Sequence, residues 1–330
     1  MRNVLALATV LLLAAAGARA GSDAHGKRQL RVAFVTYQGS RQDRSVGQAA
    51  YEGFVRAVRR LGLSGRVVEV RPFRYPTETL MALARQRYDL IVDAAPTDPG
   101  PLVQAARAYP KAKFLVDGDR PPFMPTNVQT YVMRVEEAAY LAGHLAALME
   151  KARPGKDVVG SVGGEPYSGV DAFVAGFRAG ARAAVHGITT LNAYSHDFTA
   201  PAKCRAVALA QISRGAGVIF NVAGACGLGA LDAARSRHVW GIGVDTDQSF
   251  LGSHILTSVV KRYDVAIYAE LRALKEGRFR TGGTTSLGLK QMGVGLGRIS
   301  PKAPRTFVSE IKRIRAGIVA GRIHVPSRIS

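Results

Sequence analysis

One stretch, Val218 to Gln248, constrains the fold of this chain more than any other. It opens on a short apolar run, Val218-Ile219-Phe220, suited to a strand buried on both faces. A glycine-dense turn follows, Ala223 to Gly229, then an Ala-rich helical segment, Ala230 to Arg237. A second apolar run, Val239 to Val244, ends on Asp245. This is a βαβ unit, which requires a parallel sheet and a crossover helix. Its first strand exit carries only glycine and small residues, so a ligand can approach the backbone closely. Its second exit carries a carboxylate. In open parallel sheets, ligands bind beyond the carboxyl ends of the strands, so a binding site is expected here.

The same alternation runs through the rest of the chain. Strands are expected at Leu30–Thr36, Arg66–Val70, Leu90–Val92 and Lys113–Val116, with helices at Val46–Gly62, Thr77–Arg87 and Pro99–Ala108 between them. The pattern restarts at Val128–Val132 and the helix Glu136–Met149, then continues through Val158–Val162, Val170–Val185, Thr189–Tyr194 and Pro201–Ser213 to the opening unit. Ile255–Val260 is a further strand, Asp264–Glu276 a helix, Leu287–Met292 an extended segment and Pro304–Ala320 a closing helix. Two doubly wound α/β halves follow from this order, consistent with 330 residues.

Met1 to Ala20 has the form of a secretory signal: Arg2, an apolar run, and the A-x-A site Ala18-Arg19-Ala20. The apolar run is short for a membrane span. No cysteine lies near the cleavage site, so export without a lipid anchor is expected, to the periplasm or outside the cell. Residues 21–29 are read as a disordered leader. The two cysteines, Cys204 and Cys226, exclude a disulfide scaffold and allow one bridge in an oxidising compartment. The formal net charge is +21, but the basic residues are scattered. The densest runs, Arg56-Ala-Val-Arg59-Arg60 and Lys312-Arg313-Ile-Arg315, read as polar helix faces, and no nucleic-acid partner is expected.

Catalytic patterns are missing from the sequence. There is no G-x-S-x-G elbow and no G-x-x-x-x-G-K-[ST] loop, and the seven histidines are dispersed without metal-ligand spacing. His196-Asp197 is read as a loop pair. The glycines at 224, 227 and 229 do not form a dinucleotide fingerprint. No enzyme activity, cofactor or metal is therefore expected. Carboxylates at strand exits are more informative: Asp93, Asp117 and Asp245 each follow an apolar strand. Any one of them suits a helix cap or turn; three together suit a cleft that accepts ligand hydroxyl or NH groups. Phe198, beyond the Thr189–Tyr194 strand, offers a stacking face.

Several of these segments resemble the BMP (basic membrane protein) family of substrate-binding proteins, known for purine-nucleoside receptors of ABC importers. Val135-Glu-Glu-Ala-Ala-Tyr-Leu-Ala-Gly143 is similar to the family's EEEGSYLAG, and Ala172-Phe-Val-Ala-Gly-Phe-Arg-Ala-Gly180 to its F-x-x-GF-x-AG. Ala223 to Gly229 resembles AGGTGLG, Gly243 to Gln248 resembles GVDSDQ, and Thr257 to Arg262 resembles TSMVKR. The resemblance spans Arg31 to Pro326. It implies a type I periplasmic-binding fold: two doubly wound parallel-sheet lobes joined by three crossing strands, near Val128–Met133, Leu256–Val260 and Leu287–Val294. The implied division puts residues 30–131 and 258–288 in the first lobe and 132–257 and 289–330 in the second.

The resemblance further implies a small hydroxyl-bearing, nucleoside-like ligand between the lobes and an ABC permease in the membrane as partner, the protein itself being a monomer. A secreted ligand sensor of the same fold is the alternative. The matching ligand positions are Phe198 for a stacked ring, and Gly224, Asp245 and Lys261 for the ribose side. Asp117 resembles the family's strand-exit aspartate. The first loop departs from the family pattern: Tyr37 stands where the family has aspartate, Val46 where it has a stacking phenylalanine, and Gly47 where it has asparagine. Tyr37 is an aromatic wall candidate, but it supplies no carboxylate for base NH groups.

Overall fold

The computed structural model describes residues 28–37, 41, 46–70, 76–94 and 98–329. The expected signal peptide and residues 21–27 of the expected leader lie outside these, as do parts of the first loop. The first lobe is built from β1 (Arg31–Tyr37), α1 (Val46–Leu61), β2 (Ser64–Val70), α2 (Pro76–Arg85), β3 (Leu90–Asp93), α3 (Gly100–Ala108), β4 (Phe114–Asp117) and β5 (Val128–Met133). The second takes α4 (Val135–Lys151), β6 (Val158–Gly163), α5 (Ser168–Ala184), β7 (Thr189–Tyr194), α6 (Pro201–Ser213), β8 (Val218–Val222), α7 (Gly227–Ser236), β9 (Trp240–Asp245) and β10 (Ile255–Lys261). The chain then returns to the first lobe for α8 (Tyr263–Lys275) and β11 (Thr284–Leu287), and ends in the second with β12 (Val294–Leu296) and α9 (Arg305–Val319).

Each lobe holds a six-stranded sheet, in the orders β11-β5-β4-β3-β1-β2 and β12-β10-β9-β8-β6-β7. β12 runs antiparallel to β10; the other pairs are parallel. Central strands such as β3 and β8 are buried along their whole length, which is why they read as unbroken apolar runs. The first sheet is covered on one face by α1 and α8, and on the other by α2 and α3. In the second, α4, α5 and α9 cover one face, and α6 and α7 the other.

The three crossings fall at Arg134, at Arg262 and across residues 288–293. They are bonded to one another. Arg134 N donates to Leu287 O at 3.0 Å, and Arg262 N donates to Gly293 O at 2.8 Å. Leu289 N donates to Glu137 Oε2 at 2.7 Å. Two expectations need correction here. Leu287–Met292 is not an extended segment: after β11 the chain turns, with Gly293 N bonded back to Gly288 O at 3.0 Å. The lobe boundaries expected at 131/132 and 257/258 also shift. β5 stays in the first sheet through Met133, and β10 stays in the second through Lys261, because their apolar residues remain paired to the strand end.

Two of the family-like motifs have a packing explanation. Gly143 on α4 and Gly176 and Gly180 on α5 let the two helices touch backbone to backbone. A Cβ at Gly143 would lie 1.9 Å from Phe177 O, one at Gly176 2.2 Å from Glu136 O, and one at Gly180 2.0 Å from Tyr140 O. Glycine spacing here sets the helix contact, not the ligand. A second close approach joins α6 to α7, which begins three residues earlier than expected, inside the glycine-dense turn. A Cβ at Gly229 would lie 1.8 Å from Pro201 O. Cys204 and Cys226 are disulfide-bonded across the same contact, with Cα atoms 5.6 Å apart.

Gly180→Ala should destabilise the fold by about 1–3 kcal/mol through overpacking. Gly295→Ala, in β12 with open space around the added methyl, should change stability by less than about 0.5 kcal/mol. Urea unfolding of both variants checks this; equal losses would show that the α4–α5 contact yields easily.

Candidate functional site

Because both sheets point their carboxyl ends at the crossings, the strand-exit residues of the two lobes face one another. They enclose a cleft of about 1210 Å³. Asp117 ends β4 and Lys261 ends β10, and both line it. Tyr263, the first residue of α8 after a crossing, lies between them. Its hydroxyl donates to Asp117 Oδ2 at 2.7 Å, and its ring meets the Tyr131 ring edge-on at 6.2 Å.

Lys261 brings a cation to the end of β10. Its Nζ lies 3.3 Å from Asp245 Oδ1 and over the rings of Phe173, at 5.3 Å, and Tyr263, at 5.8 Å. Burial opposes its charge, but the carboxylates of Asp245 and Asp117 outweigh that and hold its pKa above the ordinary lysine value. Burial pushes Asp117 up, against the pull of Lys261 and the Tyr263 hydroxyl. Burial and the same carboxylates drive Tyr263 well above the usual tyrosine value, so it remains a donor. Asp245 itself adopts φ +66°, in the left-handed region that aspartate tolerates better than most residues. It stands behind Lys261 rather than on the cleft wall.

The opposite wall is aromatic. Phe198 and Tyr167 line the cleft with rings 6.2 Å apart and 66° between planes. Both are partly exposed, at 37% and 53%. Gly164 makes room for the Phe198 ring: a Cβ there would lie 2.2 Å from its Cε1. The Phe198 loop is fixed from below. Asp197 Oδ1 accepts from Thr199 N at 2.7 Å and Ala200 N at 2.9 Å, and Lys203 Nζ reaches Oδ2 at 2.9 Å. Those bonds, led by Lys203, hold the Asp197 pKa far below the usual carboxylate range. His196 meets Glu165 instead, so the pair His196-Asp197 serves the loop. Cys226 N donates to Phe198 O at 2.9 Å. Gly224, at φ +53°, supplies the turn that permits this, its α-carbon beside Phe198.

Of the residues expected at a site, the fold brings together Asp117, Phe198 and Lys261 on the cleft, with Asp245 and Gly224 directly behind them. Tyr37 is elsewhere: its hydroxyl donates to Asp93 Oδ1 at 3.0 Å, and it is not among the described residues lining the cleft. Asp93 is buried, and its Oδ2 has no hydrogen-bond partner among the described residues. Burial raises its pKa from 3.8 to about 7, against the Tyr37 bond. Sequence reasoning passed over Tyr167, Phe173 and Tyr263, and also Ser327 and Arg328. Those last two belong to a C-terminal tail whose Ile323 and Val325 pack on the second lobe. Tyr263 had a usable signal, since it follows the motif Thr257 to Arg262 at a crossing. Among the described residues no group of three or more His, Cys, Asp or Glu is arranged to hold a metal ion.

Residues 30–328 match the family model described as ABC transporter substrate-binding protein PnrA-like. The chain belongs to that family. Its relatives include the "CD4+ T-cell-stimulating antigen" of Listeria innocua, 28% identical over 98% of this chain and 96% of the relative. The "ABC transporter nucleoside-binding protein BmpA" of Lactococcus lactis is 27% identical, over 99% and 98%. Among solved structures, an ABC transporter solute-binding protein from Aeropyrum pernix aligns at TM-score 0.76 and 25% identity, over 91% of this chain and 94% of that one. PnrA-like proteins are thus solute-binding proteins of ABC transporters with a two-lobed α/β fold. No helix among the described residues is long and apolar enough to cross a membrane.

Asp93 makes stability depend on pH. Between its ordinary value of 3.8 and about 7, the folded protein holds a proton that the unfolded chain has released, so stability falls as pH rises through that window. Asp93→Asn removes the titration. Its stability relative to wild type should climb by up to about 1.4 kcal/mol per pH unit between about pH 4 and pH 7. Urea unfolding of both proteins at three pH values in that window checks this; a constant difference would contradict it.

Proposed function

We propose that this chain is an exported receptor that binds a small hydroxyl-bearing, nucleoside-like solute in the cleft and delivers it to an ABC permease. The observation that carries this is the pairing of two unlike walls in one cavity. One presents Lys261, backed by Asp245, and the Tyr263–Asp117 pair, the other the exposed rings of Phe198 and Tyr167. A flat ring suits the aromatic wall, where stacking tolerates many bases. A polyol suits the charged one: carboxylates accept from hydroxyls, while Lys261 and Tyr263 donate. Charge-assisted bonds of this kind are about twice as strong as neutral ones. The printed name of the Lactococcus relative, a nucleoside-binding protein, supports the same class.

With Tyr37 held by Asp93, the first lobe contributes less to reading a base than the second lobe contributes to holding a sugar. Discrimination among bases should therefore be weak. The two pairs also prepare the cleft electrostatically. Lys261 enters the site already charged and oriented by Asp245, so little reorganisation is needed when a ligand arrives. Lobe closure would then bury these bonds, with the three crossings as the hinge.

Calorimetry on the exported protein against a panel of nucleosides, free bases, sugars and amino acids tests this reading. Nucleosides should bind, with free bases and amino acids failing. Asp245→Ala should lose about 2–3 kcal/mol of nucleoside affinity, since it strips the counterion that charges and orients Lys261 toward the ligand. Tyr37→Phe should lose less than about 0.5 kcal/mol. Equal losses, or a greater loss at Tyr37, would place the anchor in the first lobe. Mass spectrometry of the same preparation should find Gly21 at the N-terminus; a chain starting at Met1 would remove export from the proposal.

A further inference from the structure

A second cavity, of about 560 Å³, lies on the first lobe between α1 and α8 and shares no residue with the cleft. Its walls carry Arg56, Arg60, Arg272 and Arg278, with Tyr268 and the exposed side chain of Met292. We propose that this groove binds a phosphate group, on an anionic lipid or on a soluble phosphate ester.

The argument starts from the sequence run Arg56-Ala-Val-Arg59-Arg60. Residues 56 and 60 are one helical turn apart, so they share a face of α1. That face meets α8, which brings Arg272, and Arg278 follows just beyond its end. The charges do not cancel. Asp264 takes Arg56 Nη2 at 3.0 Å and also both arms of Arg262, at 2.8 and 2.9 Å. Glu276 takes Arg272 Nε at 2.9 Å and also Arg278. Arg60 makes no hydrogen bond or ion pair among the described residues. Four guanidinium groups therefore line the groove against two carboxylates, Asp264 and Glu276, an excess of two positive charges around one concave surface.

Those carboxylates do more than offset charge. Each is shared by two arginines, which holds long side chains in place that would otherwise be free. Arg56 also lies over the Tyr268 ring, 5.7 Å from its centre. The guanidinium donors left over are planar forks, the geometry that matches phosphate oxygens in pairs. A phosphate monoester carries about −1.5 to −2 charges near neutral pH, within the excess available. Met292 and the small residues Ala269 and Ala273 leave an apolar floor for whatever carries the phosphate.

The purified full-length mature chain can be tested with two probes at low ionic strength. One is vesicles of phosphatidylcholine with or without phosphatidylglycerol, read by co-sedimentation. The other is inorganic phosphate, read by calorimetry. Because the whole chain is basic, the comparison that matters is between two double variants. Arg60→Gln with Arg278→Gln removes two positive charges from the groove; Arg313→Gln with Arg322→Gln removes the same charge from the second lobe. The groove variant should bind the responding probe about 25-fold more weakly, at roughly fivefold per arginine near an anionic surface. The second-lobe variant should lose less than about threefold, since charges beyond a Debye length are screened. A response confined to phosphatidylglycerol vesicles assigns the phosphate to a lipid headgroup; a response to inorganic phosphate assigns it to a soluble ester. Equal losses in the two variants, or no binding of either probe, would overturn the proposal. Nucleoside binding in the cleft should be unchanged in both variants, so this test stands apart from the receptor reading.

Discussion

Three short crossings tie the two sheets together, and the geometry of the cleft follows from where they fall. A parallel sheet ends all its strands on one side, and each lobe has its own. Crossings at Arg134, Arg262 and residues 288–293 hold those two ends face to face. The crossings are bonded to each other through Leu287 O, Gly293 O and the Glu137 carboxylate, so they move as one element. Residues at the last position of a strand therefore become neighbours across the cleft, although they are far apart in the chain. Asp117 and Tyr263 are 146 positions apart and share a 2.7 Å hydrogen bond.

Lys261 shows how tightly electrostatics and chain path are coupled at this point. A buried ammonium is costly unless it is paired. The strand neighbouring β10 ends in Asp245, and the lobe across the cleft supplies Asp117. Burial pushes the Asp117 carboxyl up, and the cation opposes that rise. The result is a polar cluster that is charged and partly satisfied before any ligand enters. By contrast, Asp93 and Tyr37 end the strands one and two places further into the first sheet, away from that cation. Asp93 is left with one oxygen unpartnered among the described residues and a pKa near 7.

The packing of the second lobe explains why glycine recurs where no ligand is near. The contacts of Gly143 with Phe177, of Gly176 with Glu136 and of Gly180 with Tyr140 are all backbone to backbone. They bring α4 against α5, and α4 carries Glu137, which grips the third crossing. A motif first noticed as a family likeness is thus a structural device for placing the hinge. The disulfide between Cys204 and Cys226 does a similar job on the other face, where it fixes α6 and the start of α7 beneath the Phe198 loop.

Local pattern alone determined the order of strands and helices, the doubly wound class and the carboxylate at each strand exit. Those depend on short-range periodicity, and buried parallel strands have no polar face to blur it. The family likeness added the three crossings between the two halves and named Gly224 and Lys261. The ends of elements were less legible. Leu287–Met292 is apolar enough to read as a strand, but it turns, because Gly288 and Gly293 close a loop between two sheets. Tertiary structure alone decided which strand exits share a cavity. It placed Lys261 between Asp245 and Asp117, drew in Tyr263 and the C-terminal Arg328, and set Tyr37 against Asp93 instead of the cleft. No local pattern encodes such meetings: they depend on where the chain crosses between lobes, and so on contacts between segments distant in sequence.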